Sequence, residues 1–268
     1  MNTGLGGKVV VITGGTAGIG RAAAQAFAEE GCRIAVCGRS QAKLDAVQAA
    51  FDQMNMELLT CCVDVTDVSA MEAFAEKVVE HYGRIDVWVN NAGISDPMPF
   101  DETDEAAFNR MINTNLKSVF FGSAIAARQM RKTGGGVIIQ TSSFTSMIPT
   151  AGKMLYGATK AAVNSMTQTM AAELAADNIR VVGVIPGYIQ TEMTAQNIAQ
   201  NGNWLVSNIA VRRLGQPQDL AGLYVFLASD AAAYMTGVSV PFAGGKLCVQ
   251  NPMWSWERKE ARVVATGK

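Results

Sequence analysis

The stretch from Val9 to Gly20, VVVITGGTAGIG, constrains what this chain can fold into more than any other. Four β-branched residues, Val9 to Ile12, read as a strand buried on both faces, and the glycines that follow cannot continue it. From Ile19 onward, strong helix formers carry apolar side chains on one face until Gly31 closes the segment. The pattern is strand, sharp turn at Gly14, helix. Such a turn leaves backbone N–H groups unpaired at the positive end of a helix, and glycine removes the Cβ that would hold an anion away. Gly14, Gly18 and Gly20 are spaced G-x-x-x-G-x-G, unlike the commoner G-x-G-x-x-G dinucleotide pattern. A nucleotide phosphate and a tight ligand-free turn both remain open at this point.

The rest of the chain repeats that alternation. Strands are expected at 33–37, 57–63, 86–89, 137–141, 179–185 and 238–241, and helices at about 41–53, 68–81, 104–131, 154–176 and 217–228. Residues 188–213 carry no clear period. Short apolar strands separated by long helices argue for βαβ units with right-handed crossovers. The expected fold is α/β: a single-domain, Rossmann-like, doubly wound parallel sheet of about seven strands with helices on both faces. Residues 1–245 form the expected cofactor-binding and catalytic domain, with 188–213 as its substrate loop and 246–268 as a C-terminal extension. Ligands of such sheets bind beyond the carboxyl ends of the strands. The chain's unusual residues fall at those ends: Gly14 to Gly20, Arg39, Asp64, Asn90 to Gly93, Ser143 and Pro186-Gly187.

Composition narrows the partners. A formal charge of -1 with interspersed signs gives no field that would recruit nucleic acid or an anionic membrane. No run is long and apolar enough for a membrane span and the opening MNTGLGGK lacks a signal-peptide core, so a soluble, cytoplasmic protein is expected. The five cysteines, Cys32, Cys37, Cys61, Cys62 and Cys248, lack metal-ligand spacing and are expected to be buried, reduced thiols. No metal site is expected. The single histidine, His81, reads as an exposed helix C-terminal residue, which argues against a histidine-based hydrolase.

Among the five tyrosines, only Tyr156 has a lysine four residues on, Lys160, in YGATK. Positions i and i+4 share a helix face, so the ammonium can favour the ionised phenol and tune it toward acid/base work near neutral pH. Ser143, at a strand end thirteen residues earlier, can hydrogen-bond a substrate oxygen together with the phenol. Ser142 competes for that role, but strand alternation points it toward a helix.

Taken together, TGGTAGIG, NNAG (90–93), the INTN segment with Asn115, Ser143, YGATK and PG (186–187) resemble the short-chain dehydrogenases/reductases in order and spacing, from about Lys8 to Gly245. That resemblance implies Tyr156 as catalytic acid/base, Lys160 as its pKa-lowering partner and ribose contact, and Ser143 as the group orienting the substrate oxygen. Asn115 is similar to the asparagine that distorts a helix and supports a water-linked proton path to the lysine. Gly14, Gly18 and Gly20 match the pyrophosphate turn, Asp64 the adenine contact, Asn91 the cofactor-side turn and Thr191 the carboxamide neighbour. Thr16, Ile19, Ala92, Gly93, Pro186, Gly187 and Ile189 complete the implied cofactor set. The resemblance also implies a homotetramer or homodimer.

The end of the second strand bears on the cofactor. Gly38 stands where NAD-dependent relatives carry an acid, and the Arg39 guanidinium suits a 2′-phosphate, so NADP(H) is favoured over NAD(H). Ala17, where a second basic residue is common, counts against it. Loops 94–100 and 144–149 and the region after Thr191 are rich in apolar residues. Ser95, Met98, Phe144, Met147, Met193 and Trp204 are the substrate-binding candidates there, for a hydrophobic secondary alcohol or ketone. The alternatives are reduction of a 3-oxoacyl thioester on an acyl carrier protein, for which Arg128, Arg131 and Lys132 would be the docking cations, and a non-catalytic nicotinamide-binding sensor. The chain departs from the family at Ala243-Gly244-Gly245, where D-G-G is usual, and in its long tail. Trp254 and Trp256 on that tail are expected to dock on the body or on a neighbouring subunit.

Overall fold

A computed structural model describes residues 3–266 of the chain, with side chains through Glu260. The ends of the opening stretch and of the tail, 1–2 and 267–268, lie outside the described residues. Seven parallel strands run in the spatial order β3-β2-β1-β4-β5-β6-β7: β1 (Val9–Thr13), β2 (Arg33–Gly38), β3 (Leu58–Cys62), β4 (Val87–Asn90), β5 (Gly136–Thr141), β6 (Ile179–Pro186) and β7 (Ser239–Phe242). Val10 pairs with Ile34 of β2 on one side and with Val87 of β4 on the other, so β1 is central. The winding direction reverses between β1 and β4, which opens a crevice beyond their carboxyl ends.

The apolar run of β1 serves two cores at once. Val10 and Ile12 pack with Phe27, Leu44, Phe51 and Tyr224, while Val9 and Val11 pack with Phe74, Trp88, Ile125 and Met130. The first core belongs to α1 (Gly18–Glu29), α2 (Gln41–Gln53) and α8 (Pro217–Ala228), and the second to α3 (Val68–Tyr82), α5 (Ser118–Arg131) and α6 (Met154–Leu174). Each fully buried Val, Ile or Phe contributes about 1.5–3 kcal/mol, so a polar residue on either face of β1 would be costly. Buried polar side chains in the sheet are paired, as at β4 and β5, where Asn90 Nδ2 donates to Gln140 Oε1 at 3.0 Å and to Ser123 Oγ at 2.9 Å.

Caps fix several helix ends. Ser40 and Asp67 accept backbone N–H groups at the starts of α2 and α3, and Pro217 opens α8. The segment expected as one helix over 104–131 is α4 (Glu105–Ile112) and α5 joined by a π-helical turn, Asn113–Lys117, which inserts one surplus residue. The unpatterned region 188–213 contains a further helix, α7 (Ala195–Ser207), kinked at Asn201. The tail forms α9 (Trp254–Thr266). Trp256 docks as expected, donating to the Ala210 carbonyl at 2.7 Å, whereas Trp254 is left 55% exposed on this chain. Cys32 and Cys37 are buried, with thiols pushed up to about 12 by burial, but Cys62 and Cys248 are exposed. That corrects the expectation for the cysteines: in an edge strand, one of two adjacent residues faces water. Among the described residues no helix is long and apolar enough to cross a membrane, and no cluster of metal-binding side chains occurs.

Candidate active site

A cleft of about 520 Å³ opens beyond β1 and β4. Its floor is the glycine turn. Gly14 and Gly18 hold φ of +67° and +52°, and a Cβ at Gly14 would sit 3.0 Å from the Ala92 Cα. Gly20 serves packing, since a Cβ there would fall 2.4 Å from the Gly14 carbonyl oxygen. Asn91 Nδ2 donates to the Thr13 and Gly14 carbonyls, each at 3.1 Å, and the Thr13 hydroxyl accepts from the N–H groups of Asn91 and Ala92. These bonds stitch β1 to β4 at the switch point. Unlike α2 and α3, helix α1 has no side-chain acceptor at its N-cap, Ala17; its first turn also holds no acid. Its free N–H groups and positive end therefore point at the cleft, an arrangement that fits a pyrophosphate.

At the other end, Tyr156 and Lys160 both line the cleft from the first turns of α6, and Ser143 lines it from the end of β5. Lys160 is 4% exposed; its Nζ donates to the Thr141 carbonyl at 2.9 Å and lies 5.8 Å from the Tyr156 ring centroid. Burial pushes its pKa down to about 8. The Tyr156 hydroxyl is raised above its ordinary value by burial, partly offset by its hydrogen bond with Ser143. The lowering expected from Lys160 is thus not seen, because desolvation of a phenolate outweighs a cation held toward Thr141. Ser142 points away as the alternation required, its Oγ donating to the Lys160 carbonyl at 3.0 Å. Asn115 lies in the π turn, fully buried, and its amide brackets Ile94, accepting from the Ile94 N–H at 2.8 Å and donating to its carbonyl at 2.9 Å.

Most of the expected cofactor residues line this one cleft: Thr16 and Ile19 in the turn, Arg39 at the end of β2, Asn91 to Gly93 after β4, and Pro186, Gly187, Ile189 and Thr191 after β6. Asp64 does not. Its carboxylate is turned into its own loop, accepting from the Thr66 N–H at 2.9 Å and hydroxyl at 2.8 Å, while its neighbours Val63 and Val65 form the wall. Among the substrate candidates Met193 lines the cleft. Phe144 is buried against the Tyr188 ring, with centroids 4.7 Å apart. Met147 and Trp204 are exposed at 53% and 60% and lie outside it, because their elements turn those faces to solvent. Ser95 and Met98 also sit outside, in the loop after β4, where the Ser95 hydroxyl is buried without a partner. Lys43 and Glu192 were not expected. Their ion pair ties α2 to the segment after β6 along the cleft. Lys43 at the third position of a Ser-capped helix was the only sequence signal for it.

Sheet order, cleft and stitched switch point define a Rossmann-like α/β protein. The profile of the short chain dehydrogenases matches residues 8–202, and the chain belongs to that family of oxidoreductases. It is 38% identical to a 3-oxoacyl-(acyl-carrier-protein) reductase of Thermotoga maritima over 89% of this chain and 97% of that one. A short-chain type dehydrogenase/reductase from Mycobacterium marinum superposes with a TM-score of 0.88 at 36% identity, covering 91% of this chain and 97% of that one. A 7 alpha-hydroxysteroid dehydrogenase complexed with NADH and 7-oxo glycochenodeoxycholic acid does so at 0.86 and 34% identity, covering 90% and 94%.

Proposed function

We propose that this chain is an NADP(H)-dependent oxidoreductase that moves hydride between the nicotinamide and a hydrophobic secondary alcohol or ketone. The observation that carries the reading is the convergence of Tyr156, Ser143 and Lys160 on one end of a cleft whose other end is an uncapped helix. When bound, the nicotinamide supplies the hydride chemistry. The turn 14–20 would hold the pyrophosphate, Arg39 the adenosine 2′-phosphate, and Lys160 and Thr191 the nicotinamide half. Arg39 is exposed and lines the cleft, and although its charge reaches the Asp64 carboxylate it forms no salt bridge among the described residues, which supports NADP(H).

Tyr156 acts on the substrate oxygen, giving a proton in reduction and taking one in oxidation. Burial keeps the phenol protonated at neutral pH, the state that reduction needs. Ser143 hydrogen-bonds the same oxygen and holds it at the phenol. Lys160, anchored to Thr141, offers the positive charge that makes a phenolate tolerable during oxidation. Asn115 is a positioning residue: it fixes Ile94 and so the Gly93 turn, where a Cβ would come within 3.5 Å of the Lys160 Nζ.

We assign residues 1–245 to the cofactor-binding and catalytic unit and 246–268 to an extension that caps it. Free cysteines support a cytoplasmic location, and exposed Phe108, Phe120 and Phe121 on α4 and α5 support a homodimer or homotetramer. The thioester reading needs free docking cations, but Arg128 pairs with Glu72 and Arg131 with Asp177, which leaves Lys132 alone without a carboxylate. An NADPH-oxidation screen across ketone classes tests the proposal. Apolar ketones should be reduced, and Tyr156→Phe should lose about 10²–10⁴-fold in rate while still binding NADPH. Unimpaired turnover in that variant, or binding without any turnover in the parent protein, would overturn it.

A further inference from the structure

After β7 the chain turns through Ala243, Gly244 and Gly245, and the next residue, Lys246, folds back over two aromatic rings. Its Nζ stands 5.2 Å from the centroid of Phe144 and 5.1 Å from that of Tyr188. Both rings are buried, and each follows a residue that lines the cleft: Phe144 follows Ser143, and Tyr188 follows Gly187. The ammonium thus sits on two rings whose chain neighbours, Ser143 and Gly187, belong to the cleft wall, although Lys246 does not itself line the cleft. Burial lowers its pKa, and the turn that carries it contains no acid. Like Lys160 and Arg39, Lys246 pairs with no carboxylate among the described residues. Two ring faces orient a cation without neutralising it, and a partly buried, unneutralised ammonium favours an incoming anion.

We propose that Lys246 determines substrate specificity by pairing with a carboxylate on the substrate, so that the physiological alcohol or ketone has an apolar body and one acidic group. This rests on the oxidoreductase reading above and narrows its substrate class. Phe144, which does not line the cleft itself, then acts as the lysine's platform, and Met193 contributes the apolar wall.

Matched probes test this. The ketones 4-acetylbenzoate and 4-oxocyclohexanecarboxylate, their methyl esters, and neutral acetophenone and cyclohexanone are compared in NADPH oxidation by the full chain, Lys246→Gln and Lys246→Arg. The acids should exceed their esters by about tenfold or more in kcat/KM in the parent protein, as expected for a charge-assisted pair. Lys246→Gln should erase that preference through KM, and Lys246→Arg should keep it. A second readout is the thermal shift that each acid gives the NADP-loaded protein, which should disappear in Lys246→Gln. Equal use of acids and esters by the parent protein, or an acid preference that survives Lys246→Gln, would overturn the proposal while leaving the oxidoreductase reading standing. If no ketone, neutral or acidic, is reduced, both readings fall.

Discussion

Lys160 donates from Nζ to the carbonyl of Thr141 at 2.9 Å, and Ser142, the first residue beyond β5, donates from Oγ back to the Lys160 carbonyl at 3.0 Å. The strand therefore grips the lysine at both ends of its side chain. A lysine held in this way, with its pKa pushed from 10.5 down to about 8, carries a burial penalty that is fully present below pH 8, where folded and unfolded chains are both charged. Between about 8 and 10.5 the unfolded chain binds more protons, so this group's contribution to stability rises with pH. At neutral pH Lys160→Met should be more stable to urea by at most about 3 kcal/mol, an advantage that shrinks toward pH 10, while activity is lost. A stability difference that stays constant between pH 7 and 10 would contradict the buried charge.

Arg39 tests the cofactor assignment. Arg39→Ala should weaken NADPH binding about tenfold or more in a fluorescence titration and leave NADH within about twofold, since a charge-assisted pair is worth roughly 1.5–3 kcal/mol. Equal losses for both cofactors would remove the 2′-phosphate contact.

The expected positions were legible wherever local chemistry and periodicity agreed. The limits of α2 and α8 could be read from Ser40 and Pro217, because capping is a local event. All seven strands stood out as apolar runs between turn residues. The π turn at 113–117 could not be read, because one surplus residue leaves no mark in a helical period. Helix α7 was hidden by Gly202 and the kink at Asn201. Within the site, the residues of the glycine turn and of YGATK were legible because their spacing is itself the geometry. Side-chain direction was not: Asp64 and Phe144 sit near the right strand ends but turn elsewhere, and Trp204 faces solvent from α7, choices made by tertiary neighbours.

Gly122 probes the buried polar cluster. A Cβ there would lie 2.6 Å from Asn90 Oδ1, which already accepts from the Trp88 indole at 2.9 Å. Gly122→Ala should cost about 1–3 kcal/mol, seen as a melting temperature several degrees lower. An unchanged melting curve would mean that this region of α5 yields more easily than its packing implies.

Trp256 tests the tail. Its indole bonds the Ala210 carbonyl, the Arg212 guanidinium covers the ring at 5.4 Å, and Arg212 also pairs with Glu260 at 2.5 Å. Trp256→Ala should cost about 1–2 kcal/mol of local order, raising ketone KM without moving NADPH affinity. Faster amide exchange confined to 205–214 would confirm the route, and unaltered exchange there would argue against it.

The π turn has a consequence for how this chain can change over time. Each helical residue rotates its successors by about 100°, so the surplus residue sets which face of α5 meets the sheet. Losing one residue from 113–117 would straighten the rod and shift each residue of α5 into its predecessor's place, putting Phe120 where Val119 is buried and Arg131 where Met130 is buried. Substitutions at the partly exposed Asn113 and Lys117 change side chains alone, whereas the length of the segment sets the register of the whole helix. Gaps in descendants of this sequence are therefore expected in the surface loops and the tail, and not between Ile112 and Ser118.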